Sequence, residues 1–333
     1  MKLLCIAAIF CLAGLVTGTE PKSANSGVTA SFIQLNRDAT GRTTADWQAL
    51  FSRMTNLNIR SSIVQWCEEG DVCYFATHDL PCTEQYDTLE RIFEAAGACG
   101  MSIQLGLAND PAYWTQLTAR DKVLRDYFLI RVSRNEKLQK ALLKKFGDNP
   151  LWTGYYICEE IDDLTWRRPE RRDLLKSYID LMSRRLRAHD SKRSIGMSSF
   201  FRGRTAPDVY ANILLDIAAG NTLTELLIQD GMGVGDPPAD YIPIYLRSVA
   251  EAWETVTNKP MPKLLGVIEA FRQTSAQDQP FKAVPAPSAD FEKQIKAVQP
   301  FFDHLVLFTY PDYVDSHSGG AAAELAEKLK NIK

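Results

Sequence analysis

The amino-acid sequence predicts an α/β chain folded as a single (β/α)8 barrel, the TIM-barrel architecture, and three observations carry that prediction. Eight short, apolar-rich runs recur along the chain. Stretches with apolar residues at three- and four-residue spacing separate them, as crossover helices between parallel strands require. The Gly-x-Gly-x-x-Gly that an open dinucleotide-binding sheet places after its first strand is absent, and "RDATGR" stands there instead.

In chain order, the first strand is read over 30–36 ("ASFIQLN") and is followed by an amphipathic stretch over 45–56. The second strand, 60–66 ("RSSIVQW"), leads through a long loop to a helical stretch over 86–99, and the third covers 101–107 ("MSIQLGL"). The fourth, 154–161 ("GYYICEEI"), runs into "DDLTW" and then "RRPERR" (167–172), a basic run that reads as the solvated start of a helix over 170–187. Strands five to eight cover 194–200, 225–230, 264–269 and 304–310. The Pro-rich stretch 278–291 reads as a loop after strand seven, either lying over the cleft or serving as a spacer. "HSGGAAAEL" (317–325) opens a helix after strand eight, by an ordinary Ser-Gly start or as a phosphate cradle.

The first 18 residues, "MKLLCIAAIFCLAGLVTG", have one Lys, an apolar run and a small-residue end, the pattern of a secretory signal peptide. Residues 19–27 read as a flexible segment and 28–333 as the barrel, exported to a periplasm or secreted, with no membrane span once the leader is removed. The formal charge is −3, and no basic face of the kind nucleic acid needs is evident. Of the cysteines beyond the leader, Cys67, Cys73 and Cys82 crowd one loop, which predicts one disulfide among them, while Cys99 and Cys158 lie elsewhere. Cys158 falls in a strand expected to be buried. Neither the cysteine spacings nor His78, His189, His304 and His317 make a metal-ligand pattern, so no metal and no cofactor is expected. The sequence does not define an oligomeric state.

In a (β/α)8 barrel, chemistry gathers at the carboxyl ends of the strands. Those ends carry Gln34 and Asn36, Gln65 and Trp66, Asn109 and Trp114, Phe200, Gln229 and Asp230, and Tyr310. Amides and carboxylates for hydroxyl groups, with aromatic faces for a pyranose ring, point to a carbohydrate partner. Glycoside hydrolysis needs two carboxyl groups flanking the scissile bond. Glu269, after the apolar "LLGVI", is one candidate, and strand four supplies the other from Glu159 or Glu160. Alternation puts Tyr156, Cys158 and Glu160 on one face and Tyr155, Ile157 and Glu159 on the other. The neighbouring acids, Glu159 and Asp162 among them, are expected to raise the donor's pKa, or else to pair with Arg167 or Arg168. Asp230 is read as a helper that orients substrate or Glu269, or as a simple Asp-Gly turn, and Tyr310 as a partner of the nucleophile or a packing residue. Glu68 and Glu69 read as an exposed loop. The rival to an enzyme is a non-catalytic carbohydrate-binding barrel involved in polysaccharide handling or export.

"GLANDPAYW", "GYYICEEIDD", "GMSSFFRG" and "LIQDGMGVG" together resemble the exported bacterial family named domain of unknown function 4434, over about residues 28–315. The resemblance implies a glycoside-hydrolase-like barrel with the proton donor at Glu160, the glutamate of "EID". The wider clan of retaining barrel glycosidases implies a nucleophile at Glu269. That clan carries Asn before its strand-four Glu, where this chain has Glu159.

Overall fold

The computed structural model describes residues 27–220, 222–276 and 279–331. The expected leader over 1–18 and all of the segment 19–27 except Gly27 lie outside the described residues. Eight strands form a closed barrel: β1 Val28–Ile33, β2 Ser61–Val64, β3 Ser102–Gly106, β4 Trp152–Ile161, β5 Ser194–Phe200, β6 Glu225–Gln229, β7 Lys263–Glu269 and β8 Leu305–Phe308. Each is hydrogen-bonded in parallel to its sequence neighbours, and β1 pairs with β8 to close the ring. Around it run α1 Thr44–Thr55, α2 Thr88–Cys99, α3 Asp121–Phe146, α4 Pro169–His189, α5 Pro207–Ala218, α6 Ile242–Glu254, α7 Ser288–Val298 and α8 Gly320–Asn331.

Local chemistry sets the helix ends. Thr43 and Asp46 close a reciprocal capping box at the start of α1, satisfying two backbone donors that the first turn leaves free. Pro169 sits in the first turn of α4, where its missing N–H costs nothing, so the "RRPERR" run does start a helix. Gly100, at φ 64°, ends α2 in the left-handed conformation that glycine adopts without strain.

Alternation along the strands divides the core in two. Ala30, Phe32, Ile63, Tyr156, Leu227, Val267 and Val306 fill the inside of the barrel, while the opposite strand faces pack against the helices. Near the amino ends of the strands the filling turns polar: Gln104 Nε2 donates to Tyr155 O (3.0 Å) and to Glu225 Oε2 (2.9 Å). Gly196 leaves room for that amide, since a Cβ there would stand 3.1 Å from Gln104 Nε2.

Three expectations change. The loop after β2 is a small sheet, in which Glu68–Glu69 pairs with Val72–Cys73 and Ala108–Asn109. Cys73 and Cys82 form its disulfide, and Cys67 is buried and free. Glu68 is not in an exposed loop; it is buried and held by Arg134 Nε at 2.6 Å. The stretch after β7 folds as a hairpin of Phe271–Gln273 with Ala283–Pro285, and Phe271 packs on Phe308 and Tyr313. Strand eight ends at Phe308, because Thr309 accepts the Asp312 N–H and starts the helical turn Tyr310–Tyr313. Among the described residues no helix is long and apolar enough to cross a membrane.

Candidate active site

The four acids of the β4 end have four different environments. Ile157 pairs with Met197 and Ile161 with Ser199, so residues 158–160 bulge opposite the single residue Ser198. On one side of the bulge Glu159 turns out of the barrel: Arg131 Nε on α3 donates to its Oε1 (2.7 Å) and the Tyr178 hydroxyl on α4 to its Oε2 (2.7 Å). On the other side Glu160 turns into the mouth, where Gln229 Nε2 donates to its Oε1 at 2.6 Å. The Tyr113 hydroxyl holds the Glu160 carbonyl (2.7 Å), which fixes the direction of its Cα–Cβ bond. Asp162 accepts the Leu164 N–H (2.6 Å) and the Thr165 N–H (2.5 Å) and so shapes the turn. Asp163 Oδ2 accepts from Arg204 N (2.7 Å) and ties the β4 and β5 loops together. Two expectations therefore fail: Glu159 does not reach the mouth, and its partner is Arg131, not Arg167 or Arg168.

At the end of β7, Glu269 is 5% exposed, and its Oε2 accepts the Gly233 N–H at 2.6 Å. Position 233 has to be glycine for this contact, since a Cβ there would lie 2.4 Å from the Phe271 ring and 2.7 Å from Glu269 Oε2 itself. Asp230 is fully buried on the helix side of the wall. Its Oδ1 accepts from Met232 N (3.1 Å) and Glu269 N (3.4 Å), and its Oδ2 from the Gln294 amide of α7. Asp230 thus touches the backbone of Glu269 and of the Gly233 loop, where its side chain is not available to a substrate in the mouth.

Burial pushes Glu160 up to about 7, against the pull of the Gln229 N–H toward the charged form. Burial also pushes Glu269 up to about 8, with the charge of Asp230 and then that of Glu160 adding to the rise, and the Gly233 N–H opposing it. Desolvation, and not the neighbouring acids, accounts for Glu160; Arg131 already holds the Glu159 charge. Gln229, which holds Glu160, stands on β6 paired with Val267 of β7, two residues before Glu269. The charge of Glu160 adds to the rise at Glu269, so the two carboxyl groups stand near each other at the carboxyl ends of the strands.

Several rim residues are held by hydrogen bonds within the protein. Gln34 Nε2 donates to Gln65 Oε1 (2.8 Å), and the Trp66 indole N–H to Leu35 O (2.8 Å). Asn109 Nδ2 donates to Glu69 Oε1 (2.9 Å), and exposed Asn36 caps the turn at Ala39 N (2.9 Å). Trp114, 46% exposed, stands edge-on to Phe200 at 5.6 Å and is an open aromatic face at this end of the barrel. Cys158 faces inward and donates to Gln65 O at 3.1 Å. Tyr310 is buried on the far side of the wall, its phenol pushed up to about 12 by burial and the Asp315 charge, with Arg53 and Ser316 beside it. It is not a partner of Glu269. Reading the sequence missed Gln294 and Gly233 as supports of Glu269; the Gly-rich "DGMGVG" was the one local sign of the second.

Among the described residues, Glu68, Cys73 and Cys82 come together at metal-ligand spacing, but the two sulfurs are bonded to each other and Glu68 to Arg134. These groups do not fit an ion.

A putative α-L-fucosidase from Bacteroides thetaiotaomicron superposes with a TM-score of 0.74 over 99% of each chain at 14% identity. An endo-β-1,4-mannanase from Thermotoga petrophila superposes with a TM-score of 0.56 at 9% identity, over 92% of this chain and 77% of its own. At these identities the likeness is one of fold, that of the glycoside-hydrolase barrels. The chain is also 29% identical over 255 residues to the uncharacterized protein YbcH of Escherichia coli K12, covering 77% of this chain and 79% of that one. The family model for the domain of unknown function DUF4434 matches residues 28–319, and the chain belongs to that family.

Proposed function

We propose that the protein is an exported glycoside hydrolase that cleaves a poly- or oligosaccharide, with Glu160 as acid/base and Glu269 as nucleophile. The observation that carries the reading is a pair of buried carboxyl groups, from β4 and β7, sharing one mouth and both displaced toward neutral pH. In this reading Glu160 gives its proton to the leaving glycosidic oxygen while Glu269 attacks the anomeric carbon. Gly233 holds Glu269 Oε2, so Oε1 is the attacking oxygen, and the glycosyl ester it forms is opened by a water that Glu160 deprotonates. Retention of configuration follows from that route. Export rests on the leader-like residues 1–18, and sugar contact by Gln34, Asn36, Gln65, Trp66, Asn109, Trp114, Phe200 and Gln229 on their place at the strand ends.

One observation favours exchanged roles on the same site: burial raises Glu269 as it raises Glu160, and the Asp230 charge beside Glu269 adds to its rise, so Glu269 too is disposed to carry a proton. Reducing-end release from bacterial exopolysaccharides and plant glycans, with wild type, Glu160→Gln and Glu269→Gln, tests the activity. Either substitution is expected to cost about 10²–10⁴-fold. Aryl glycosides with a good leaving group then separate the roles, since they bypass the need for an acid. Activity kept by Glu160→Gln supports the first assignment, and activity kept by Glu269→Gln the exchanged one. Equal glycan binding by all three proteins without release replaces the enzyme with a binding barrel.

A further inference from the structure

We propose that Gln294, carried by α7 outside the barrel, is a positioning residue for Glu269: one side-chain amide fixes Asp230 and the Glu269 carbonyl together, so that the carboxyl group and the loop holding it form one unit. The inference rests on the reading of Glu269 as a reacting group. Gln294 Nε2 donates to Asp230 Oδ2 and to Glu269 O at 3.0 Å. Asp230 in turn accepts from Glu269 N and from Met232 N, the residue before Gly233, whose N–H binds Glu269 Oε2. Both backbone polar groups of Glu269 and the loop at its carboxylate thus lead back to a single amide. With its N–H and C=O both engaged, the residue keeps one backbone conformation, and the Cα–Cβ bond is aimed without any contact to the reacting atoms.

The donor end of this amide satisfies two buried acceptors, the Asp230 carboxylate and the Glu269 carbonyl, while its acceptor end is a cost to stability. Gln294 is 2% exposed, and its Oε1 meets no protein donor, whereas an apolar residue would bury no such acceptor. It also lines a cavity of about 420 Å³ with Met232, Asp290 and Lys293, so a side chain of similar length fits without overpacking. The charged groups facing the Asp230–Glu269 pair are Glu160 from β4 and Arg272 from the hairpin after β7, with Asp290 of α7 beside Arg272.

The test needs no substrate. In the full chain carrying ¹³C-labelled glutamate carboxyl groups, the Glu269 and Glu160 resonances, assigned by Glu269→Gln and Glu160→Gln, are titrated by NMR. Asp230→Asn removes the neighbouring charge and sets the reference, a fall in the Glu269 midpoint of about one unit or more. Gln294→Met frees the Glu269 backbone and the loop that Asp230 holds, which weakens the Gly233 N–H contact that favours the charged carboxylate. The Glu269 midpoint therefore rises by about half a unit, opposite in sign to Asp230→Asn. The Glu160 midpoint is expected to stay in place. A Gln294→Met protein that melts lower but titrates as wild type at Glu269 has a structural glutamine only, and the proposal is overturned. If Gln294→Met does not fold, Gln294→Asn, a shorter amide that cannot reach both Asp230 and the Glu269 carbonyl, is titrated in its place, and an unmoved Glu269 midpoint overturns the proposal equally. Where the wild type cleaves a glycan, Gln294→Met is expected to lower kcat about tenfold with KM little changed. Absence of any cleavage counts against the enzyme reading and leaves the NMR result standing on its own.

Discussion

At the scale of single residues, Glu269 sets a cost that the fold carries at high pH. Its carboxyl titrates near 8 instead of the ordinary 4.5, because burial and the Asp230 charge disfavour ionisation. Between those values the folded chain holds a proton that the unfolded chain has lost, so stability falls as pH rises through that window and levels off above it. Glu269→Gln removes the penalty. It is expected to match wild type near pH 4 and to exceed it by on the order of a few kcal/mol above pH 8, read from urea unfolding at the two pH values. Gly233→Ala works in the opposite sense. Its methyl group meets the Phe271 ring and the Glu269 carboxylate, so a loss of about 1–3 kcal/mol is expected, along with a shifted Glu269 resonance. A protein as stable as wild type with an unmoved resonance would show that the loop can yield. Both glutamates were legible in the sequence as acids at strand ends, but their environments were not. Glu159 and Glu160 look alike in "CEEI", and only the bulge and Arg131, 28 residues upstream, separate a buried ion-pair partner from a mouth carboxyl group.

At the scale of elements, the β4 strand is coupled to α3 and α4 through the buried Arg131–Glu159–Tyr178 set. Removing one member leaves a charge without its partner. Arg131→Met is therefore expected to cost about 3–5 kcal/mol, and adding Glu159→Gln to recover much of it. Chemical denaturation of the two variants decides this, and a double variant no more stable than the single one would place the loss in packing. That Tyr156, Cys158 and Glu160 share a face was readable from period-two alternation, and the bulge left that order unchanged, but which face looks inward was not readable. The position of Tyr310 was not readable, because a capping Thr and the following Pro end β8 early and roll the phenol to the helix side. The Cys73–Cys82 bridge was one of three pairings the sequence allowed; the small sheet, in which Val72–Cys73 runs beside Glu84–Gln85, brings Cys82 to Cys73.

At the scale of the whole molecule, closure depends on the first strand, since β1 pairs with β8 on one side and with β2 on the other. A chain begun after Ile33 loses both ladders and Phe32 from the barrel interior, and is expected to lack near-UV circular dichroism and cooperative unfolding. A native-like spectrum from that truncation would mean the ring closes on seven strands. The sequence by itself determined the alternation of strands and helices, hence the barrel, and with it the end of the strands at which the candidate site lies. It did so because hydrophobic periodicity is a local property that neighbouring residues express. The tertiary structure alone decided which acid enters the mouth, which amide holds it and how strongly each holds its proton. Those depend on burial and on partners such as Gly233, Gln294 and Arg131, which are distant in sequence and meet only when the barrel closes.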